Sequence, residues 1–479
     1  MNTQIVTQAS SYINGLWVTS GNKNSLRNPA NLNSHIKDIH FASLQDAKNS
    51  IISANKAFAK WKTISIDKRI RFLSDFMVSI KENKNSLANL ITLENGKTLK
   101  EAKGEVDAAI LEGNYQIDFL SKNLSENIDT NHLYYSPLGV ALLITPWNFP
   151  LSTVIRKMVP ALVCGNSVVL KPSEFSSLTA IFLFEILDQI SIPKGVANLV
   201  LGEGDIVGPV LMELSIVKII SFTGSTDTGE LIHKHIGSSD VRYQAEMGGA
   251  NALVIWEDAD IEKAVEATIT SGMACAGQWC TGISKLVVHN NIYDSVIDSL
   301  VKAVNNLNVG DGSIPSVDMG PLNNVSQFKK MKDYIDRAIQ QGAEILSGGT
   351  EIESVKNKGY FFSPTLLGDV NENMEIASEE IFGPIINIYK TKSIESAIRF
   401  SNLGKYGLSF SIFTADKKLA KTFIENIDAS LCHVNLPTPY REVSMPFTGW
   451  KQSGTGIPES GRFARDVFTK PKVVYSNKS

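Results

Sequence analysis

The period of the apolar positions changes several times along this chain, and those changes mark out its regions. Residues 1–45 are rich in Asn, Ser and Thr between short apolar runs, a pattern of short strands and loops wrapped over a domain surface. From Leu44 onward Ala47, Ile51, Ala54 and Phe58 recur at spacings of three and four, the stripe of an amphipathic helix. Residues 69–84 and 86–97 repeat that stripe, with Asn95-Gly96 as a stop signal, and 101–124 predicts a further helix. Residues 125–139 are polar, then alternate, and end in Pro137-Leu138-Gly139, which suits a hairpin or arm leaving the body of the domain.

Short apolar runs then alternate with helical stripes. Strands are predicted at 140–145, 166–170, 197–201, 217–222 and 252–255. Helices are predicted between them, at 154–162, 176–190, up to Leu214, and at 227–236. Such alternation predicts an α/β fold: a Rossmann-type parallel sheet covered by helices on both faces, with ligands at the carboxyl ends of its strands. After Asp260 the alternation resumes, so a second α/β domain follows. The tail at 468–475 predicts a strand without a local partner, and the arm at 125–139 is the candidate to pair with it. The expected division is 1–122 with 140–248, then 249–450, with 123–139 and 451–479 as arm and C-terminal tail.

Composition narrows the function classes. The 479 residues are 43% hydrophobic and 20% charged, with a net charge of −3, the balance of a soluble protein. That charge leaves no footprint for nucleic acid or for an acidic membrane surface, and no apolar run is long enough to span a bilayer. The four cysteines, Cys164, Cys275, Cys280 and Cys432, fit a reducing compartment, and no Cys/His cluster has zinc-ligand spacing, so no metal is expected. The polar N-terminus lacks the pattern of a secretory signal, and a cytoplasmic location is expected.

The candidate chemistry centres on residues 271–284, which hold Cys275 and Cys280 among Gly272, Ala274, Ala276, Gly277 and Gly282. Small neighbours let a substrate approach a reactive sulfur, but by itself the stretch serves equally as a tightly packed core turn. Each predicted strand of the first domain runs into a polar or glycine-rich cluster: Pro146-Trp147-Asn148-Phe149-Pro150, Lys171-Pro172-Ser173-Glu174, and Thr223-Gly224-Ser225-Thr226. Lys171 and Glu174 could hold ribose hydroxyls, and the amides after Thr223 open a helix that could hold a phosphate. Gly204 and Gly208 belong to a glycine pattern one residue longer than the usual dinucleotide fingerprint, and alone they could form a plain turn. Three clusters at one sheet edge favour a dinucleotide site. Glu246, beside two glycines, could be a surface turn residue or a base free to swing.

With these motifs in hand, and with Gly277-Gln278-Trp279-Cys280, Glu380-Ile381-Phe382-Gly383-Pro384 and Pro446-Phe447-Thr448-Gly449 added in order, the chain resembles the NAD(P)-dependent aldehyde dehydrogenase superfamily over nearly its whole length. The resemblance implies that Cys280 is the nucleophile, that Asn148 stabilises the oxyanion, and that Glu246 activates the hydrolytic water. It implies an aldehyde dehydrogenase-like fold with a small oligomerisation arm, and a homodimer or homotetramer. Cofactor contacts carried over by it are Thr145, Pro146, Trp147, Lys171, Ser173, Glu174, Gly204, Gly208, Thr223, Gly224, Ser225, Met247, Gln327, Lys330, Glu380 and Phe382. The cofactor implied is NAD, with NADP as the alternative, because a carboxylate at 174 repels a 2′-phosphate. Thr448 and Ala250 depart from the usual glycine and lysine.

For the substrate, Arg156 precedes Lys157 as in succinate-semialdehyde dehydrogenases, and a guanidinium suits a carboxylate. That subgroup's second arginine falls here at Ala274, so Arg441 is the substitute candidate. The segments around Trp279-Cys280-Thr281 and 433–438 look more like 2-oxoglutarate-semialdehyde dehydrogenases. An aldehyde with a distal carboxylate is therefore expected, with Arg156, Trp279, Thr281 and Arg441 at the substrate. The alternatives are an aliphatic or aromatic aldehyde in an apolar tunnel beside Trp279, and a catalytically retired relative kept as a binding or structural protein.

Overall fold

The computed structural model describes residues 6–213, 215–352 and 358–476. Leu214, the predicted end of one helix, lies outside the described residues; the helix itself spans Gly204–Met212. An eight-stranded sheet runs in the order Leu16–Val18, Ser11–Ile13, Ala197–Leu199, Ser167–Lys171, Val140–Ile144, Val217–Thr223, Arg242–Glu246 and Gly454–Thr455. Its five central strands are parallel and both edges are antiparallel. From Val140–Ile144 the chain winds outward in one direction through Ser167–Lys171 and Ala197–Leu199. It then returns to Val217–Thr223 on the other side, so a crevice opens at the carboxyl ends of Val140–Ile144 and Val217–Thr223, where such sheets bind ligands.

The sequence of Val140–Ile144, Val-Ala-Leu-Leu-Ile, is apolar throughout because both faces of the strand are covered. Ala141 and Leu143 pack with Leu73, Phe76, Val106 and Val159 of three helices. Val140 and Leu142 face the other way, into a cluster with Ala47, Ile51 and Ala54 of the Leu44–Trp61 helix. Period-two alternation thus sorts one strand between two cores. Each fully buried Leu or Val contributes about 1.5–3 kcal/mol.

A second sheet has seven strands, in the order Glu344–Ser347, Thr365–Gly368, Ile385–Thr391, Ile283–His289, Asn251–Ile255, Ser409–Phe413 and Leu431–Val434. All its neighbours are parallel except the edge strand Glu344–Ser347. The tail strand Thr469–Val474 pairs antiparallel with Asn131–Pro137, and so finds its partner in the arm that the sequence nominates. Among the described residues, no helix is long and apolar enough to cross a membrane.

The helix Leu99–Asn123 backs the loop that leaves Val140–Ile144. Thr98 and Glu101 form a reciprocal capping box that fixes its start two residues before the predicted one. It packs along the Ser152–Val163 helix, whose N-terminus comes directly after the Asn148 turn.

Candidate active site

A cavity of about 820 Å³ lies between the two sheets, and every residue predicted for the site lines it except Glu246. At one end are the loops that follow the strands of the first sheet. Lys171 is buried, and its Nζ stands 3.3 Å from the partly exposed Glu174 carboxylate. Ser173 accepts the Phe175 N–H, and Ser225 caps the helix Thr226–Ile236 by accepting the Thr228 N–H, which leaves that helix's first amides facing the cavity end. A Cβ on Gly204 would make ordinary contact with Lys171 Nζ at 3.4 Å, which places this glycine against the buried ammonium. Thr145 and Thr223 line the cavity, and their buried hydroxyls find no partner among the described residues. A buried cation, a carboxylate and a helix N-terminus are the donor set that a dinucleotide fits.

Across the cavity stands the segment 379–383. Glu380 Oε1 accepts the Gly249 N–H at 3.0 Å, and a Cβ on Gly248 would collide with the same carboxylate. Burial raises the Glu380 carboxyl above its ordinary range, against the pull of Lys330. Phe382 has left-handed backbone, with φ 56°, and its ring meets Trp147 edge-on at 5.5 Å. Gln327 and Lys330 line the cavity as predicted, but their polar ends are bonded to backbone carbonyls of this segment. Met247 is held by its N–H to the Ser453 carbonyl at 2.7 Å.

Cys280 sits mid-cavity, just before the strand Ile283–His289. Asn251 Nδ2 donates to the Cys280 and Gly282 carbonyls, both at 2.7 Å, and so pins the backbone on either side of Thr281. Burial pushes the Cys280 thiol up to about 12, while Arg156 pulls it down. Thr281 presents a buried hydroxyl without a partner. Cys275 touches the cavity but lies deeper, at 5% exposure, in a tight turn where Cys275 and Ala276 are left-handed at φ 54° and 53°. Its N–H donates to Glu101 Oε1 at 2.7 Å, and burial drives its thiol far above the usual range.

Asn148 Nδ2 donates to the Gln278 carbonyl at 3.0 Å, two residues before Cys280. The turn that carries Asn148 is clamped from behind. Asn95 Nδ2 donates to the Trp147 carbonyl at 2.9 Å, and Lys97 Nζ to the Asn148 carbonyl at 2.7 Å. Lys97 also pairs with Glu105 at 2.7 Å, and the other Glu105 oxygen accepts the Leu151 and Ser152 N–H groups at 2.9 and 3.1 Å. Both partners of this ion pair are almost fully buried, so removing either would leave an uncompensated charge.

Glu246 ends the strand Arg242–Glu246, is buried, and is turned away from the cavity. Gln244 Nε2 donates to one oxygen at 3.2 Å, and the other oxygen has no partner. Burial first, and then the nearby Glu459, hold this carboxyl well above the ordinary range, against Lys157 and Arg156.

The far end of the cavity carries the predicted arginines, neither of them free. Arg156 Nη1 pairs with Glu459 at 3.0 Å, and Lys157 takes the other Glu459 oxygen at 2.8 Å. Arg156 Nε is buried without a partner. Arg441 Nη2 pairs with Glu112 at 2.6 Å and donates to Ser460 Oγ at 3.1 Å. The two guanidinium carbons lie 5.0 and 5.5 Å from the Phe447 ring. Trp279 packs on Phe149 at 4.8 Å and forms an apolar wall. The sequence does not single out Glu459 and Glu112, whose arginine partners lie 303 and 329 residues away, or Lys97 and Glu105, whose bonds to the Asn148 turn span 46 to 51 residues.

The model of the Aldehyde dehydrogenase family matches residues 17–474. An alpha-ketoglutaric semialdehyde dehydrogenase of Bacillus subtilis (strain 168) is 36% identical over 483 residues, which cover 98% of this chain and 99% of that protein. A 2,5-dioxopentanoate dehydrogenase of Saccharolobus solfataricus is 36% identical over 94% of this chain and 95% of its own. The crystal structure of a betaine aldehyde dehydrogenase from Staphylococcus aureus in complex with NAD+ aligns with a TM-score of 0.94 at 32% identity, covering 98% of this chain and 95% of the other.

Proposed function

This chain belongs to the aldehyde dehydrogenase family and carries out NAD-dependent aldehyde oxidation, and from that premise we propose that its substrate is a semialdehyde with a distal carboxylate, of the succinate- or 2-oxoglutarate-semialdehyde class. The observation that carries the proposal is the far end of the cavity, where Arg156 and Arg441 both line the wall and flank Phe447. A carboxylate reaching either guanidinium would gain a charge-assisted bond. The names of the two 36%-identical relatives agree with this class.

In the proposed mechanism Cys280 gives its thiol proton to water, a loss that the Arg156 charge favours, and Sγ then attacks the aldehyde carbon as thiolate to form a thiohemiacetal. The Cys280 N–H and the Asn148 carboxamide hold the oxyanion, each donor of this kind being worth about 2.7–4 kcal/mol. Bound NAD supplies the hydride acceptor, and a thioester is left on Cys280. Lys171 and Glu174 hold one ribose, Glu380 and Phe382 the other, and the Thr223–Ser225 turn and the helix end hold phosphate. Glu246 swings from Gln244 to the cavity and takes a proton from the water that hydrolyses the thioester. Residues 1–122 with 140–248 serve as the cofactor domain, 249–450 as the catalytic domain, and 123–139 with 451–479 as arm and tail.

The arm is proposed to join subunits into a homodimer or homotetramer. In support, Thr469–Val474 is an edge strand with one side unpaired among the described residues, and it exposes Val473 and Val474. A cytoplasmic location is proposed from the four unpaired cysteines.

A second reading has its own observation. Glu459 and Glu112 neutralise the two arginines, and the Phe149–Trp279 wall is apolar, which suits an uncharged aliphatic or aromatic aldehyde. Following NADH formation over a panel of acidic and neutral aldehydes separates the two. The acidic-substrate proposal expects the highest kcat/KM for a four- or five-carbon semialdehyde acid, and a preference for neutral aldehydes overturns it.

A further inference from the structure

The helix Val325–Gln340 turns one face toward the segment 376–382, and four of its side chains hold that segment. They fall at spacings of three, four and three, the stripe of a single helical face. Gln327 Nε2 donates to the Phe382 carbonyl at 2.6 Å and to that of Ile381 at 3.3 Å. Lys330 Nζ donates to the Glu380 carbonyl at 2.8 Å, and the Tyr334 hydroxyl to the Ile376 carbonyl at 2.7 Å. One turn further on, Arg337 grips the Glu379 carboxylate through two parallel bonds, of 2.6 and 2.8 Å. The segment forms a short 3₁₀ turn at Glu375–Ser378 and then runs on without a sheet ladder until Ile385, so these side chains supply the bonds that a ladder would otherwise supply.

Glu379 and Glu380 are neighbours, and Glu379 has extended backbone at φ −83°, ψ 150°. Successive side chains on extended backbone point to opposite sides. With Glu379 fixed against the helix, Glu380 is aimed the other way, into the cavity, where the Gly249 N–H receives it.

We propose that Arg337, which lies outside the cavity, is a positioning residue for the cofactor: its two-bond grip on Glu379 sets the direction of Glu380 and the left-handed turn at Phe382, and thereby the affinity of the nicotinamide end. The inference rests on Glu380 and Phe382 being contacts of the nicotinamide ribose and ring.

Arg337 and Glu379 are only partly buried, at 25% and 29% side-chain exposure, so the pair can be broken without emptying the core. The test uses the full-length protein and NADH, whose binding is titrated by its fluorescence without turnover. Arg337→Gln and Glu379→Gln should each weaken NADH binding three- to tenfold, and the double variant should be no weaker than either single one. Arg337→Lys, which keeps the charge but not the two-bond geometry, should recover part of the loss. Amide exchange of residues 379–383 should quicken in both single variants, while the rate of Cys280 alkylation without cofactor stays at the wild-type value. NADH binding within twofold of wild type in Arg337→Gln overturns the inference, and so does unchanged amide exchange. Glu380→Gln keeps the premise separate. If Glu380→Gln leaves NADH binding intact, the cofactor role given to Glu380 fails. If Glu380→Gln weakens binding and Arg337→Gln does not, only the positioning role of Arg337 fails.

Discussion

Replacing Arg156 with alanine should change which aldehydes the enzyme prefers more than how fast it works. The geometry produces two effects. Arg156 lines the cavity, and a hydrogen bond between its guanidinium and a substrate carboxylate is worth about 1.5–3 kcal/mol. At about 1.4 kcal/mol for each factor of ten, its loss should lower kcat/KM for an acidic semialdehyde at least tenfold and at most about a hundredfold. The lower figure is the better guide, because Glu459 already holds the same guanidinium at 3.0 Å. The second effect reaches every substrate. Arg156 lowers the Cys280 thiol and opposes the upward push on Glu246, so its removal slows attack and hydrolysis for neutral aldehydes as well. The ratio of kcat/KM for succinate semialdehyde to that for hexanal cancels the shared effect and isolates the carboxylate contact. A ratio at least tenfold below wild type is expected, and Arg441→Ala run alongside would show how far the second arginine shares the contact. An unchanged ratio would make Arg156 a partner of Glu459 and nothing more, and would move the neutral-aldehyde reading to first place.

Cys280→Ala should abolish aldehyde oxidation, while Cys275→Ala, which removes a buried thiol in a tight turn, should keep most of it; steady-state NADH formation decides, and a dead Cys275→Ala would reverse the assignment. Glu246→Gln should give a burst of NADH close to one per active site followed by a slow steady state, and loss of the burst would mean that Glu246 also acts before the thioester forms. Because burial holds the Glu246 carboxyl above its ordinary range, wild-type turnover limited by hydrolysis should rise with pH through that raised value. The same shift carries a stability sign. The folded state keeps the proton that the unfolded state loses, so stability from this group is full at low pH and declines as pH rises toward the folded pKa. The melting temperature of Glu246→Gln should therefore gain on wild type as pH rises from the ordinary carboxylate range toward neutrality and above. Light scattering should find a dimer or tetramer, and an active monomer would remove the role given to the tail strand.

Much of the fold was legible because its signals are local. The all-apolar run at Val140–Ile144 is short and bounded by Gly139 and Pro146, which favours a strand covered on both sides, and the polar clusters that follow parallel strands gather at one sheet edge. The charge network was not legible. Arg156 and Glu459 are 303 residues apart, and Arg441 and Glu112 are 329 apart, so nothing around any of the four announces its partner. The sequence therefore offers Arg156 and Arg441 as free cations, and the structure gives each a carboxylate. Gln327 and Lys330 belong at the cavity, but the bonds they make go to the Glu380 segment, which sequence spacing cannot reveal. Glu246 is where its motif puts it along the chain, yet its carboxylate lies under the cavity wall, because a strand end fixes position and not rotamer.

The helix Leu99–Asn123 bears on how this enzyme could be retooled for other aldehydes. Glu105 holds the amides behind Asn148, while Gly104, Ala108 and Glu112 on the same helix wall the cavity. The support of the Asn148 turn and one wall of the cavity thus share one rod of 25 residues. A methyl group at Gly104 meets nothing within 4 Å and could narrow the opening without moving the rod. A bulkier side chain at Ala108 that levers the helix outward would carry Glu105 with it, so new selectivity gained there would come with slower turnover. The opposite wall, built from Leu431 and from Pro439 to Phe447, is tied to the same helix through Arg441, which pairs with Glu112 at 2.6 Å, but not through Glu105. Substitutions on that loop that spare Arg441 leave both the Glu105 clamp and the Glu112 pair in place, and so offer the freer route to new substrates.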